Sequence, residues 1–269
     1  MAKAQLIALP MNLIKVSRYE FKYLLTPEEV PPIRRFLLRY CLPDTNAYGT
    51  EWYSIRSLYL DTPDYAFYRT SVEKAVERIK LRVRGYTTGT GPLKLEVKRR
   101  VGDVVTKTSL NTTPAIWAEL TGAGPRVAHS GEVPLFLHRV EQMRASPKLL
   151  VTYERHALHS VIDDYVRVTF DRRIQCQQML QWSMSGDPRG WLAVDQPPSV
   201  NEDESTYVLE LKFKLAPPAW LHEMVTRFGL VRRGFSKYAR ATTLLQTLRD
   251  PAWDLRSCSE ASSRVWRVA

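Results

Sequence analysis

The chain has 269 residues, of which 44% are hydrophobic and 25% charged, a composition typical of folded globular proteins and unlike that of disordered chains. Its 39 Lys and Arg residues against 28 Asp and Glu residues give a net charge of +11, which favours acidic partners such as nucleic acid, nucleotides, polyphosphate or an anionic membrane surface. No apolar run approaches the roughly 20 residues of a membrane span, and Cys41, Cys176 and Cys258 have no metal-ligand spacing. We therefore expect a cytoplasmic protein with free thiols.

The first predicted elements are a strand and a helix. From Ser17 to Leu25, charged residues alternate with aromatic ones at the two-residue period of a half-buried strand. Thr26 and Pro27 favour a helix start, and this helix is expected to end near Tyr40. A strand over 52–60 and a short helix over 65–71 follow.

The segment 79–100 carries the most informative pattern, because charged side chains occupy every second position on both sides of a glycine-containing link. The charged positions are Lys80, Arg82, Arg84, Lys94, Glu96, Lys98 and Arg100. The pattern predicts an antiparallel pair with one apolar and one basic face. Because the basic face would repel itself, a multiply charged anion is a natural partner, with a solvated or nucleic-acid-binding face as the alternative.

The second half of the chain continues the alternation. Further strands are predicted over 104–110, 149–158, 165–174 and 207–215, and helices over 113–120, 133–143, 217–228 and 236–248. Segment 179–205 is expected to be an exposed loop with at most one short strand. Charged faces turned outward would require helices over the apolar faces, whereas charged faces turned inward would close the sheet into a barrel with a polar lumen.

Seven motifs occur in the order of a known family. They are Arg18-Tyr19-Glu20-Phe21-Lys22-Tyr23, Ser57-Leu58-Tyr59-Leu60-Asp61-Thr62, Arg82-Val83-Arg84, Leu95-Glu96-Val97-Lys98, Tyr153-Glu154-Arg155, Glu210-Leu211-Lys212 and Phe235-Ser236-Lys237-Tyr238. Together they resemble the VTC domain, the polyphosphate polymerase branch of the triphosphate tunnel metalloenzymes, also called the CYTH superfamily. The resemblance implies an α+β fold, a closed antiparallel eight-stranded β-barrel with flanking helices. We expect residues 17–249 to form this domain, between an N-terminal extension (1–16) and a C-terminal tail (250–269).

The resemblance also implies a set of site residues inside the barrel. The catalytic phosphate binders would be Lys22, Arg82, Arg84, Lys98, Arg155 and Arg167. Further substrate-binding residues would be Glu20, Lys94, Lys107, Tyr153, Ser236 and Lys237. Glu210 and Glu96 would hold a divalent cation, Mn2+ or Mg2+. One departure is Arg18, which stands where many tunnel enzymes have the first glutamate of Glu-x-Glu-x-Lys; this departure leans towards the polymerase branch.

The function expected from the resemblance is transfer of the γ-phosphate of ATP to a growing inorganic polyphosphate chain. An inorganic triphosphatase or nucleoside triphosphatase of the same fold, or a non-catalytic polyphosphate- or RNA-binding module, remains an alternative. Nucleic acid is not the expected partner, because the basic residues alternate with aliphatic ones more than with exposed stacking aromatics. Because the chain carries no predicted span, a separate membrane protein could take up the product.

Overall fold

The computed structural model describes residues 14–44, 50–86, 93–122, 133–163, 166–195 and 206–249. Within these ranges the strands are β1 (Ile14–Leu25), β2 (Cys41–Pro43), β3 (Tyr53–Asp61), β4 (Glu77–Tyr86), β5 (Lys94–Val101), β6 (Val104–Asn111), β7 (Ser146–Ser160), β8 (Arg167–Gln178), β9 (Leu192–Ala193) and β10 (Tyr207–Phe213). The helices are α1 (Val30–Leu37), α2 (Ala66–Val72), α3 (Pro114–Leu120), α4 (Val133–Gln142), α5 (Ala219–Arg227) and α6 (Lys237–Arg249). None of these helices combines the length and the apolar character that crossing a membrane requires.

Eight of the strands close into a barrel. Their order is β7-β3-β4-β5-β6-β1-β10-β8, and β8 pairs again with β7. Every pairing is antiparallel. The short strands β2 and β9 extend β7 and β8 outside the ring. The predicted α+β fold with a closed eight-stranded barrel and flanking helices is therefore confirmed, and the inward orientation of the charged faces is the correct one.

The outward faces of the strands are apolar and lie under the helices. Around β1, β8 and β10, residues such as Phe170 and Leu209 are fully buried in a cluster that includes α1 and α5. Around β3, β4 and β5, residues such as Leu58 and Leu81 belong to a second cluster with side chains of α2, α3, α4 and α6. Each such burial contributes about 1.5–3 kcal/mol, so these two clusters hold the barrel closed.

The predicted elements agree with the structure except at short or irregular segments. The helix after Thr26 begins with a 3-10 turn at Pro27–Glu29, and its α-helical part ends at Leu37. The strand predicted over 149–158 extends to Ser146–Ser160 because it pairs with three neighbouring strands. The three-residue strand β2 is too short to show a period and was not predicted.

Some predictions lie outside the described residues. These are the glycine-containing link at 87–92, residues 1–13 of the N-terminal extension, the C-terminal tail from 250 onward, and Cys258. The pairing of β4 with β5, which that link was expected to join, is present. Cys41 and Cys176 are buried free thiols, and burial raises the pKa of each to about 12.

Candidate active site in the barrel lumen

The two-residue period of the strands places their charged side chains inside the barrel. A cavity of about 330 Å³ lies there. Among the described residues that line it, cations outnumber carboxylates by twelve to three. The cations are Arg18, Lys22, Lys80, Arg82, Arg84, Lys94, Lys98, Lys107, Arg155, Arg167, Lys212 and Lys237, and the carboxylates are Glu20, Glu96 and Glu210. All fourteen residues that the sequence predicted for the site therefore lie on this one cavity.

Glu96 on β5 organises one wall of the lumen. Its carboxylate lies 2.6 Å from Arg82, 2.7 Å from Arg84 and 2.6 Å from Lys107. Burial alone would raise the pKa of Glu96, but these three cations hold it well below its usual value. The side chain is 1% exposed. Because Arg82 and Glu96 are register partners on β4 and β5, the strand pairing itself fixes the guanidinium in place.

Asp171 on β8 likewise binds and orients cations, on the opposite wall of the lumen. Arg155 donates two hydrogen bonds to its carboxylate, at 2.6 and 2.8 Å, and the Lys237 ammonium lies 2.5 Å away. Asp171 is fully buried, and despite that burial Arg155 and Lys237 lower its pKa. Asp171 is not among the site residues that the sequence predicted. Only the pairing of β7 with β8, which sets Arg155 opposite Asp171, reveals the contact.

Glu20 and Glu210 lie on the neighbouring strands β1 and β10. Glu20 is 2.5 Å from Lys98 and 3.0 Å from Arg18, while Glu210 is 2.7 Å from Lys212. Burial and the mutual repulsion of the two carboxylates oppose ionisation, yet the surrounding cations lower the pKa of Glu20 to about 2 and that of Glu210 well below its usual value. Both carboxylates are therefore ionised at neutral pH. Lys212 is a lumen residue that the predicted set omitted.

Three lysines, Lys22, Lys80 and Lys98, lie towards the end of the lumen where α6 begins, and we call them the lysine neck. The Lys22 ammonium donates to the carbonyl of Phe235 at 2.9 Å, and the Lys80 ammonium donates to the Ser236 hydroxyl at 2.7 Å. Burial, followed by repulsion from Lys98 and Lys22, lowers the pKa of Lys80 well below its usual value. Lys98 pairs with Glu20 at 2.5 Å and Lys22 with Glu210 at 3.6 Å. The Lys80 ammonium, whose hydrogen bond goes to a neutral hydroxyl, is the neck group that a bound anion would stabilise most.

Ser236 and Lys237 lie at the N-terminus of α6. The Ser236 hydroxyl accepts a hydrogen bond from the backbone N–H of Ala239 at 3.1 Å, so Ser236 caps the helix. Tyr238 donates a hydrogen bond to Asp61, whose carboxylate also accepts from backbone N–H groups of Phe67 and Tyr68. These contacts tie the start of α6 to α2 and β3. The helix N-terminus, which favours anions, therefore has a fixed place at the lumen.

The remaining predicted residues, Tyr153, Lys94 and Arg167, each lie beside an aromatic or charged neighbour. Tyr153 lies under the Lys237 ammonium, which is 4.5 Å from the ring centre. Its role in substrate binding stays a prediction. Lys94 lies 6.0 Å from the ring centre of Tyr86. Arg167 forms an ion pair with Asp44, beyond the end of β2. Arg167 is thus already partly neutralised, as are Lys98 by Glu20 and Lys22 by Glu210.

Comparison with protein families identifies the family of the chain. A model of the VTC domain matches residues 17–246. The chain belongs to the VTC domain family. As a VTC domain it has the triphosphate tunnel fold that the motifs predicted.

The chain is also similar to solved structures at low sequence identity. A candidate adenylate cyclase from Bacillus halodurans is 14% identical, with a TM-score of 0.43, over 82% of this chain and 95% of its own. A candidate adenylyl cyclase from Hippeastrum, described as having a dominant triphosphatase activity, is also 14% identical, with a TM-score of 0.41, over 84% of this chain and 95% of its own. Comparison with curated proteins gives no significant match.

Triphosphate tunnel enzymes generally use divalent metal ions, and two carboxylates of this VTC domain fit such a cation. In the part of the chain that the structure describes, no cluster of three or more acidic, His or Cys residues could enclose a metal by itself. Mg2+ and similar cations, however, are commonly held by one or two carboxylates together with phosphates and water. Glu210, predicted as a ligand, and the neighbouring Glu20 suit that role. A metal would have to displace cations at each of these carboxylates. Glu210 has one close cation, Lys212 at 2.7 Å, with Lys22 and Arg155 at 3.6 and 3.9 Å. Glu96, the other predicted ligand, is held more tightly, by three cations at 2.6–2.7 Å.

Proposed function

We propose that this VTC domain is a polyphosphate polymerase, which transfers the γ-phosphate of ATP to the end of an inorganic polyphosphate chain. The observation that supports the proposal most strongly is the lining of the closed lumen, where twelve Lys and Arg side chains stand against three lining carboxylates and the buried Asp171. Such an excess of buried positive charge is unfavourable without an anion. A chain of phosphates supplies several negative charges in a shape narrow enough for a barrel of eight strands.

The strand pairings preorganise the groups that would bind the triphosphate. Glu96 orients Arg82, and Asp171 orients both Arg155 and Lys237, so these cations keep their positions before substrate binds. Donors that are already in place stabilise developing charge without reorganisation at the moment of reaction. Arg82, Arg155 and Lys237 would therefore bind the phosphate oxygens on which charge changes during transfer.

The chemical step needs no protein nucleophile. A terminal oxygen of the polyphosphate chain attacks the γ-phosphorus in line, the bond to the β-phosphate oxygen breaks, and ADP leaves with that electron pair. Catalysis then consists of positioning and charge neutralisation by the lumen cations. A bound divalent cation, Mn2+ or Mg2+, would add to this neutralisation, and Glu210 with Glu20 would hold it.

The experiment that tests the proposal is incubation of the purified chain with ATP and Mn2+, with and without a short polyphosphate primer, followed by gel separation of the products. We expect a ladder of polyphosphate and an amount of ADP that matches the phosphate incorporated. Free phosphate without a ladder would replace the polymerase with a triphosphatase, in which water takes the place of the acceptor chain. Tight binding of tripolyphosphate without any turnover would leave a binding module.

A further inference from the structure

A second cavity opens beyond the lysine neck. Its volume is about 860 Å³, and it lies between the end of α2, the start of β4, the end of β5 and the segment 232–236 that leads into α6. The neck residues Lys22, Lys80 and Lys98 line this cavity as well as the lumen. The two cavities therefore meet at the neck, and we call the second one the outer cavity.

The outer cavity is strongly basic in its own right. Beyond the neck, six cations line it: Lys74, Arg78, Arg100, Arg232, Arg233 and Arg240. Among the described residues on its lining, Glu20, which belongs to the lumen, is the only carboxylate. Asp103 lies nearby and binds Arg100 and Arg232 at 2.7 Å each. Asp103, together with Asp195, which acts on Arg240, therefore offsets only part of the charge.

One donor group of Arg78 has no acceptor among the described residues. Its side-chain Nε is buried and makes no hydrogen bond in the described structure. Burial and repulsion from Arg100 lower the pKa of Arg78. A buried guanidinium N–H without an acceptor is unfavourable unless a ligand supplies one. The position therefore points to an anionic ligand inside the outer cavity.

The lining also indicates the class of anion. Of the described residues around the cavity, Phe235 alone is aromatic, and the Arg240 guanidinium lies 4.6 Å above its ring. Single-stranded nucleic acids bind chiefly by stacking their bases on exposed aromatic rings, and this cavity offers no such surface. Arginine and lysine side chains suit phosphate oxygens, so a phosphate chain without bases fits the lining best.

We propose that the outer cavity binds the part of the polyphosphate chain that has passed the lysine neck and retains it between successive transfers. This inference rests on the proposed polymerase function. A chain held at two connected sites rebinds the lumen at a high effective concentration after each step. Retention therefore determines how long the product grows, while the lumen residues determine how fast each phosphate is transferred.

The test uses the full chain with Arg78→Gln, Arg233→Gln and Arg240→Gln combined. None of these residues lines the lumen cavity. The matched control removes three exposed cations elsewhere, with Arg35→Gln, Arg39→Gln and Arg189→Gln. Three quantities are measured: the length of the polyphosphate made from ATP, the affinity for long-chain polyphosphate in competition with a labelled chain, and the kcat/KM for tripolyphosphate hydrolysis.

We expect the triple variant to make shorter products and to bind long-chain polyphosphate about tenfold more weakly, with tripolyphosphate turnover within about twofold of the control. Product length and long-chain affinity equal to those of the control would overturn the inference. An equal loss of tripolyphosphate turnover would also overturn it, because the three residues would then act on the lumen. If the unmodified chain makes no polyphosphate, the polymerase proposal fails, and the competition measurement still decides whether the outer cavity binds long chains.

Discussion

The inner and outer faces of the same strands differ in what they contribute. On β8, Phe170 points outward into an apolar cluster beneath the helices, whereas its neighbours Thr169 and Asp171 belong to the inward face of the barrel. All three side chains are fully buried. Burial of Phe170 stabilises the fold, but burial of the ionised Asp171 is tolerated only because Arg155 and Lys237 bind it. The outer face thus stabilises the fold, whereas the inner face positions charged groups at a cost in free energy of folding.

The largest predicted effect is on the inner face. Arg82→Ala combined with Arg84→Ala should lower kcat/KM for the triphosphate substrate by about 10⁴-fold, since loss of one preorganised donor typically costs 10²–10³-fold. Steady-state kinetics with ATP and with tripolyphosphate measure the change. Arg99→Ala, which removes a cation from the outward face of β5, is the control and should leave kcat/KM unchanged. Intact affinity and turnover in the double variant would show that the lumen is not the site.

Two substitutions at neighbouring positions of β8 compare how much each face contributes to the free energy of unfolding. Phe170→Ala should lower the free energy of unfolding by about 3–5 kcal/mol, because it leaves a cavity in the outer cluster. Thr169→Val should cost little or nothing, because the Thr169 hydroxyl is buried without a hydrogen-bond partner in the described structure. Urea unfolding of both variants checks this. Equal losses would mean that the inner face contributes to stability as the outer face does.

Glu210→Gln should weaken the binding of the metal more than the binding of the phosphate. We expect the Mn2+ concentration required for half-maximal activity to rise about 10–100-fold, while the affinity for tripolyphosphate without metal is retained. Activity titrations against Mn2+ and binding titrations without it provide the two numbers. Glu154→Gln, on the outward side of β7 where Glu154 binds Arg172 and Arg173, is the control. Parallel losses of metal dependence and phosphate affinity would argue against a ligand role.

The smallest predicted effect is a change in proton uptake at Lys107. Burial, with Arg84 and Arg82 nearby, outweighs Glu96 and lowers the pKa of Lys107 from 10.5 to about 7. Between pH 7 and 10.5 the unfolded chain binds more protons, so Lys107 makes the free energy of unfolding rise with pH in that window. A bound phosphate favours the ammonium form. Triphosphate binding at pH 8 should therefore take up close to one proton at this site.

Calorimetric titration in two buffers with different ionisation enthalpies measures this proton uptake. Lys107→Met should lower it, whereas Lys214→Met, at an exposed position outside the lumen, should leave it unchanged. The same proton uptake in the Lys107 variant as in the unmodified chain would show that Lys107 already carries its proton before the ligand binds.

The sequence predicted the strands well because their alternation is local. Lys80, Arg82 and Arg84 show on their own that one face of β4 is charged. Alternation does not tell whether that face turns inward or outward, so the choice of a barrel depended on the resemblance to the VTC domain. Alternation also does not predict which charged side chains contact each other. Asp171 and Lys237 lie far apart in the chain, and only the closed barrel brings them to 2.5 Å.

The outer cavity could not be predicted for the same reason. Arg78 comes from the start of β4, while Arg233 and Arg240 come from the segment before α6 and from α6 itself. No spacing in the sequence connects them. Lys80 and Lys212 could have been added to the predicted site, since both share a charged strand face with residues that were predicted.

The most direct test of the central claim is a crystal structure of the chain grown with tripolyphosphate. We predict electron density for the phosphates inside the barrel, in contact with Arg82, Arg155 and Lys237. Density for tripolyphosphate on the outer surface alone, with the lumen charges still bound only to one another, would contradict the account.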